Sequence, residues 1–224
     1  MFMIEERNEK GLVKLAIARL QSLANKNDDE PYEKLNELGT EYCKSYSDVA
    51  ISEIPGVDQA RNLFKEIGID PTKRRPSSEA LLRRGLKNKG YNNINTLVDI
   101  GNWCSLEFLL PICVYDAVSI MGKLHGRMGK SGDGYIAIDN QYLDLNNRYL
   151  ISDDKGALGS PIKDSLRTRV TSTTTEAVLL IYAPGYVSES RLMVQLEIFI
   201  KRVQKYYGGI VKEKYLQAKE IKEY

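Results

Sequence analysis

Apolar residues recur at helical spacing over residues 10–24, KGLVKLAIARLQSLA, with Leu12, Leu15, Ile17, Leu20 and Leu23 in phase. That pattern predicts a first helix, which the polar run NKNDDEP ends. A second helix is predicted over 32–46, with Leu35, Leu38 and Tyr42 on one face. A third is predicted over 57–67, carried by Val57, Ala60, Phe64 and Ile67. Residues 1–69 therefore read as a helical N-terminal subdomain. Beyond Pro71, Ser77 is placed to cap a helix reaching Lys87, Glu79 suits its first turn, and Gly90 can end it. A further helix is predicted from Ile94 to Leu109, closed by Pro111. Short β-like runs follow at 112–116, 122–127, 135–139, 149–153, 167–172 and 178–182, separated by Gly, Asn and Asp clusters. Ser188 or Ser190 then opens an amphipathic helix with Leu192, Leu196, Phe199, Ile200 and Val203 inward, stopped by Gly208-Gly209. Residues 211–224 read as a charged helix or tail. The class expected is α+β: the helical subdomain 1–69, a mostly antiparallel sheet packed with helices over 70–210, and the tail.

Composition narrows the functions this pattern can serve. The chain has 224 residues, is 42% hydrophobic and 28% charged, and carries a net charge of only +2. It can bury a core, and any nucleic-acid contact must come from a local patch, not a global field. Three cysteines, Cys43, Cys104 and Cys113, form no CxxC pair, which fits reduced thiols in a cytoplasm and neither a disulfide framework nor a zinc cluster. With one histidine, His125, a Ser-His-Asp triad or a multi-histidine metal site is disfavoured. No metal, no cofactor and no membrane span is expected.

Four segments can carry chemistry. Lys73, Arg74, Arg75, Arg83, Arg84, Lys87 and Lys89 put seven cations into residues 73–89 against the single Glu79. This reads as an RNA-backbone contact or as a solvated helix face. Asn95, Asp99, Asn102 and Ser105 form a polar stripe in an apolar helix, suited to a small polar ligand or to structural hydrogen bonds. The loop from Asp153 through Gly156, Gly159 and Ser160 to Asp164, Ser165, Arg167 and Thr168 is dense in donors and acceptors, and its glycines permit close approach by a ligand. GKSGDG, residues 129–134, lacks a P-loop setting and reads as a hairpin turn. His125 reads as a surface or packing residue, and Cys113 alone as a small core residue.

Pro76-Ser77-Ser78 with Leu81-Leu82-Arg83-Arg84, then residues 94–102, INTLVDIGN, then Leu106-Glu107 and Pro111-Ile112-Cys113-Val114-Tyr115-Asp116, resemble the B3/B4 domain of the phenylalanyl-tRNA synthetase β subunit. Gly156-Ala157-Leu158-Gly159 falls where that family has its glycine-rich pocket loop, and Val178-Leu179-Leu180 resembles the following strand. The resemblance covers about residues 70–208 and none of the synthetase's catalytic modules, so the chain resembles a free-standing B3/B4 protein. In the synthetase this domain hydrolyses tyrosine wrongly esterified to tRNA. The resemblance implies a pocket between the Asn102 helix, the Cys113 strand and the Gly156–Gly159 loop. It places Cys113 at the family's pocket histidine and Ile181 at its pocket glutamate.

The function this implies is trans-editing: hydrolysis of a mischarged aminoacyl-tRNA, with the aminoacylated 3′ end of tRNA as partner and no DNA. Asp164 would orient the water or the substrate ammonium, and Asn102 the amino or carbonyl group. Cys113, Gly156, Gly159, Ser160, Ser165, Arg167, Thr168 and Ile181 would line the pocket, with Arg167 holding the terminal nucleotide or anchoring the loop. Lys73, Arg74, Arg75, Arg83, Arg84 and Lys87 would meet RNA. This reading requires Asn102, Gly156 and Asp164 to face one hollow. The alternative is a non-catalytic module that binds an amino acid or a tRNA end. A weaker third is a protein-interaction module docking through the N-terminal helices.

Overall fold

The computed structural model describes residues 12–24, 26–216 and 219–220, the last pair by backbone alone. Its centre is a five-stranded sheet in the order β10-β9-β1-β8-β2. These strands are β1 (Val13–Leu23), β2 (Ile112–Asp116), β8 (Ala177–Pro184), β9 (Gly208–Leu216) and β10 (Lys219–Glu220). Every pairing is antiparallel, with Ile17 opposite Leu180 and Tyr215, and Cys113 also opposite Leu180. The α+β class expected from the sequence is the class observed.

The helix expected over 10–24 is absent among the described residues of that span; residues 10 and 11 lie outside them. The described part from Val13 is the strand β1, at the middle of the sheet. Val13, Leu15 and Ile17 enter one core while Ala16, Ala18 and Leu20 enter the other. A strand buried on both faces has apolar residues at odd and even positions alike, so its period of two is hidden. Because β1 pairs with β8 and β9, the contacts of Val13–Leu23 run directly into the region expected as a separate domain. The tail also departs from expectation: Gly208–Leu216 is strand β9, while residues 217–218 and 221–224 lie outside the described residues.

The predicted helices at 32–46 and 57–67 correspond to α1 (Glu30–Tyr46) and α2 (Val57–Glu66). The helix opened by Ser77 is α3 (Ser77–Leu86), which starts after Pro76 with no side-chain cap. α4 (Thr96–Phe108) is capped by Asn95, whose side chain accepts from the Val98 amide at 2.9 Å. Leu109 ends it in the left-handed conformation, at φ 54°. α5 (Glu189–Tyr207) is capped by Ser188, which accepts from the Arg191 amide at 3.3 Å, and Gly208 ends it at φ 75°.

One face of the sheet is covered by α4 and α5. Ala18, Val114, Leu179 and Ile181 meet Leu97, Ile100, Leu196 and Phe199 there, and none of these is more than slightly exposed. α1 and α3 stack outside α4 around Leu35, Leu82, Tyr91 and Leu106. The opposite face is covered by α2, through Leu63 and Phe64, and by a small sheet ordered β3-β6-β7. Those strands are β3 (His125–Met128), β6 (Tyr149–Asp153) and β7 (Gly156–Gly159). A two-stranded ribbon, β4 (Gly134–Ile136) with β5 (Tyr142–Asp144), lies beside it. The turn at 129–134 therefore joins two different sheets and closes no hairpin, since β3 pairs with β6 and β4 with β5. Residues 167–172 form no strand. A single 3-10 turn at Leu166–Thr168 and one bridge from Arg169 to Tyr115 stand in its place.

Candidate active site

The alternation of β2 and β8 decides which side chains can meet. Cys113 and Tyr115 project to the α2 side of the sheet, together with Leu180 and Tyr182. Val114, Leu179 and Ile181 project to the α4 and α5 side. Cys113, Tyr115, Tyr182, Tyr135 and Asp164 form one enclosed polar group beneath the 156–168 segment, each bearing on the ionisation of others in the set.

Its hydrogen bonds are few and specific. The Tyr115 and Tyr182 hydroxyls lie 3.2 Å apart. The Cys113 thiol donates to the Ser160 carbonyl at 3.6 Å. The Tyr135 hydroxyl donates to Ser160 Oγ at 2.9 Å and also meets the Lys163 carbonyl. Asp164 is tied to the ribbon by its carbonyl, which accepts from the Ile138 amide at 3.1 Å. Its Oδ1 is enclosed and has no hydrogen-bond partner. Such an oxygen is costly to leave unmatched, which makes it a natural place for a ligand or a water.

Burial pushes the Asp164 carboxyl up to about 6, and the neighbouring Cys113 thiol works the other way. Burial also raises Cys113 well above the ordinary thiol range, with the Asp164 charge adding to it. The Tyr115, Tyr135 and Tyr182 hydroxyls are raised in the same way, burial first. At neutral pH the group is thus one carboxylate among neutral donors. A carboxylate titrating near 6 is a competent base at pH 7.

The wall of the site is anchored by Arg167. Its guanidinium makes two hydrogen bonds to Asp153, at 2.9 and 3.0 Å, and a third to the Ser119 carbonyl at 3.1 Å. Burial alone would raise Asp153, but Arg167 and the Met121 and Lys155 amides outweigh it and hold the carboxyl below its usual range. Arg167 is therefore a loop anchor. Ser165 accepts from the Arg167 amide at 3.1 Å and opens the 3-10 turn, while the Thr168 hydroxyl donates to the Leu158 carbonyl at 3.0 Å. Gly159 is required by packing, because a Cβ there would lie 2.0 Å from the Tyr115 hydroxyl. Gly156, at φ 110°, faces open space. An open cleft of about 390 Å³ lies over this wall, lined by Tyr135, Ile136, Ala157, Ser165, Leu166 and Arg167.

Two expected members stand elsewhere. Ile181 belongs to the opposite, dry face, since it sits one residue out of phase with Leu180 and Tyr182. The polar group supplied by β8 is the Tyr182 hydroxyl. Asn102 rides on α4, which covers that same dry face, and its side chain makes no hydrogen bond among the described residues. Its stripe is structural at the other three positions. Asn95 is the cap, Asp99 accepts from the Ile94 amide, and Ser105 donates to the Leu110 carbonyl at 2.8 Å. The cleft is lined by Ala157 and Ser165, the chain neighbours of Gly156 and Asp164, and by none of Asn102, Gly156 and Asp164 themselves, so the one hollow expected to join those three is not this cleft. Sequence reasoning missed Tyr115, Tyr135 and Tyr182. The spacing Cys113-x-Tyr115 and Leu180-x-Tyr182 on paired strands was the available signal.

Residues 59–196 match the family of the B3/4 domain. The chain belongs to the B3/4 domain family. This B3/4 protein is 33% identical over 138 residues to the phenylalanine–tRNA ligase β subunit of Streptomyces avermitilis, covering 58% of this chain and 16% of that one. It is 35% identical over 78 residues to the same subunit of Neisseria meningitidis, covering 34% of this chain and 10% of that one. The B3/4 protein thus spans about a tenth to a sixth of the length of these curated relatives. An N-terminal fragment of the phenylalanyl-tRNA synthetase β subunit from Pyrococcus horikoshii aligns with 96% of this chain and 56% of its own, at 12% identity and a TM-score of 0.48. No helix among the described residues is long and apolar enough to cross a membrane.

The basic segment lies apart from the cleft, at the α2–α3 corner. Lys73, Arg74, Arg75, Arg84 and Lys87 are exposed, and Arg83 is half-buried. Arg84 donates to the Gly90 carbonyl at 3.0 Å. Arg75 and Arg83 both meet the buried Glu79, which Arg61 also holds through two hydrogen bonds.

Proposed function

We propose that this chain hydrolyses the ester of mischarged aminoacyl-tRNA, using the cleft over Tyr135 and Ser165 as the acyl site. Membership of the B3/4 family and the likeness to phenylalanine–tRNA ligase β subunits support tRNA as the substrate carrier. The observation that carries the chemistry is Asp164: enclosed, unpartnered at Oδ1, titrating near 6, and next in the chain to Ser165 of the cleft wall. In this reading Asp164 removes a proton from a water, which attacks the acyl carbon. The bond from that carbon to the ribose oxygen breaks, and the proton returns to the departing hydroxyl. An aminoacyl ester is activated enough that a positioned water and one base suffice. The exposed cations of 73–87 would meet the tRNA backbone.

Deacylation of a panel of mischarged tRNAs tests the proposal. Asp164→Asn is expected to lower the rate at least ~100-fold, as loss of a general base does, while His125→Ala leaves it nearly unchanged. Absence of hydrolysis on every substrate at high protein concentration sinks it.

One observation favours a second reading, a non-catalytic binder. Burial keeps the Cys113 thiol and the three tyrosine hydroxyls protonated, so the site is rich in neutral donors and holds no activated nucleophile. Thermal shifts with free amino acids, in the absence of any hydrolysis, would establish that reading instead.

A further inference from the structure

Three arginines converge on Glu79, a carboxylate only 3% exposed. Arg61 grips it with two hydrogen bonds, at 2.7 and 3.0 Å. Arg83 reaches it through Nε alone at 2.8 Å, and the Nε of Arg75 lies 3.6 Å from the same Oε1 oxygen. Helical side chains lean toward the N-terminus, which brings Arg83 back over the first turn of α3. The terminal nitrogens of Arg75 and Arg83 make no hydrogen bond among the described residues. Two planar forks are therefore held side by side at their inner edges and left open at their outer ones. One buried negative charge against three positive ones leaves a surplus of cation at the corner.

The backbone adds to this. α3 follows Pro76, which has no capping side chain, and no acceptor among the described residues meets the amides of Ser77, Ser78 or Glu79. Ser78 is 1% exposed and its hydroxyl has no partner. Lys73 and Arg74 are exposed on the chain leading into the turn.

We infer that the start of α3 is a phosphate-binding seat, made by Arg75, Arg83 and the free amide of the half-buried Ser77, with Glu79 as the residue that positions the two arginines. Guanidinium forks pair bidentately with phosphate oxygens, and an uncapped helix start directs N–H groups and the positive end of its dipole at the same anion. The phosphate is that of an RNA backbone or of a small phosphorylated molecule; the RNA case rests on the tRNA reading above, the seat itself does not.

The test uses charge-preserving variants. Arg75→Lys with Arg83→Lys keeps every positive charge and removes both forks. A merely basic patch predicts unchanged binding of tRNA in filter assays and of inorganic phosphate by phosphorus NMR. The seat predicts a loss of roughly tenfold, the worth of about one good charge-assisted contact. Loss with tRNA identifies a backbone phosphate; loss with inorganic phosphate alone identifies a small phosphorylated ligand; no loss with either overturns the inference. Glu79→Gln sharpens the point where circular dichroism shows it folded. It adds net positive charge, so a patch predicts tighter tRNA binding, whereas loss of positioning predicts weaker binding. Tighter binding overturns Glu79's role. None of these outcomes depends on deacylation, so failure here is separable from failure of the hydrolase.

Discussion

Strands β2 and β8 show different chemistry to their two sides. Toward α4 and α5 they present Val114, Leu179 and Ile181, against Leu196 and Phe199. Toward α2 and the small sheet they present Cys113, Tyr115 and Tyr182, with Asp164 brought over them by the 156–168 segment. The same backbone thus supplies a dry interface that earns stability and a polar one that carries strain. The difference lies in which parity of residue is polar, and it shows that fold and site can be changed separately.

The largest expected effect comes from the dry side. Phe199→Ala removes a fully buried ring and should destabilise the protein by about 4 kcal/mol in urea unfolding, while rates per folded molecule stay near the parent's. A comparable loss of specific activity would mean that the two faces are coupled. Gly159→Ala acts on the polar side by steric means, driving a methyl group into the Tyr115 hydroxyl. Overpacking of this kind costs up to ~3 kcal/mol and should displace Tyr115, read as a change in near-ultraviolet circular dichroism.

Asp164 gives the prediction with the most distinctive sign. Its folded pKa, about 6, lies above the usual unfolded value near 4. The group's full contribution to stability is therefore present below about pH 4 and is lost as pH rises through about 6. Asp164→Asn removes that loss: the variant should match the parent at pH 4 and exceed it by about 2 kcal/mol at pH 8. Greater stability with lower activity is what a strained functional group predicts. A variant less stable than the parent at pH 8 would make Asp164 a structural residue. The smallest effect belongs to Tyr182→Phe, which deletes the hydroxyl bonded to Tyr115 and should cost about 1 kcal/mol in the same unfolding assay.

The sequence was most informative where local chemistry dictates local structure. Ser188 as a helix cap, Gly208 as a stop, and the strand at 112–116 all follow from residue type and short-range pattern. It was least informative where a choice is settled by distant partners. Residues 13–23 carry apolar groups on both parities because sheet neighbours and two cores bury them on every side, and no local window shows that. In the site, Ser160, Ser165 and Thr168 were legible as a dense polar loop, although their hydrogen bonds prove to hold the wall together. Ile181 was misplaced by a single residue of register, enough in a strand to send a side chain to the wrong face. Asp164 was chosen from that loop as a catalytic candidate, but its enclosure was not legible, since it arises from the tyrosines packed beneath it.

The position of β1 has a consequence for synthesis. Both of its sheet neighbours, β8 and β9, follow it in the chain by more than 150 residues. Until those residues have been synthesised its two hydrogen-bonding edges stand bare and apolar, the condition under which nascent chains recruit chaperones or stick to one another.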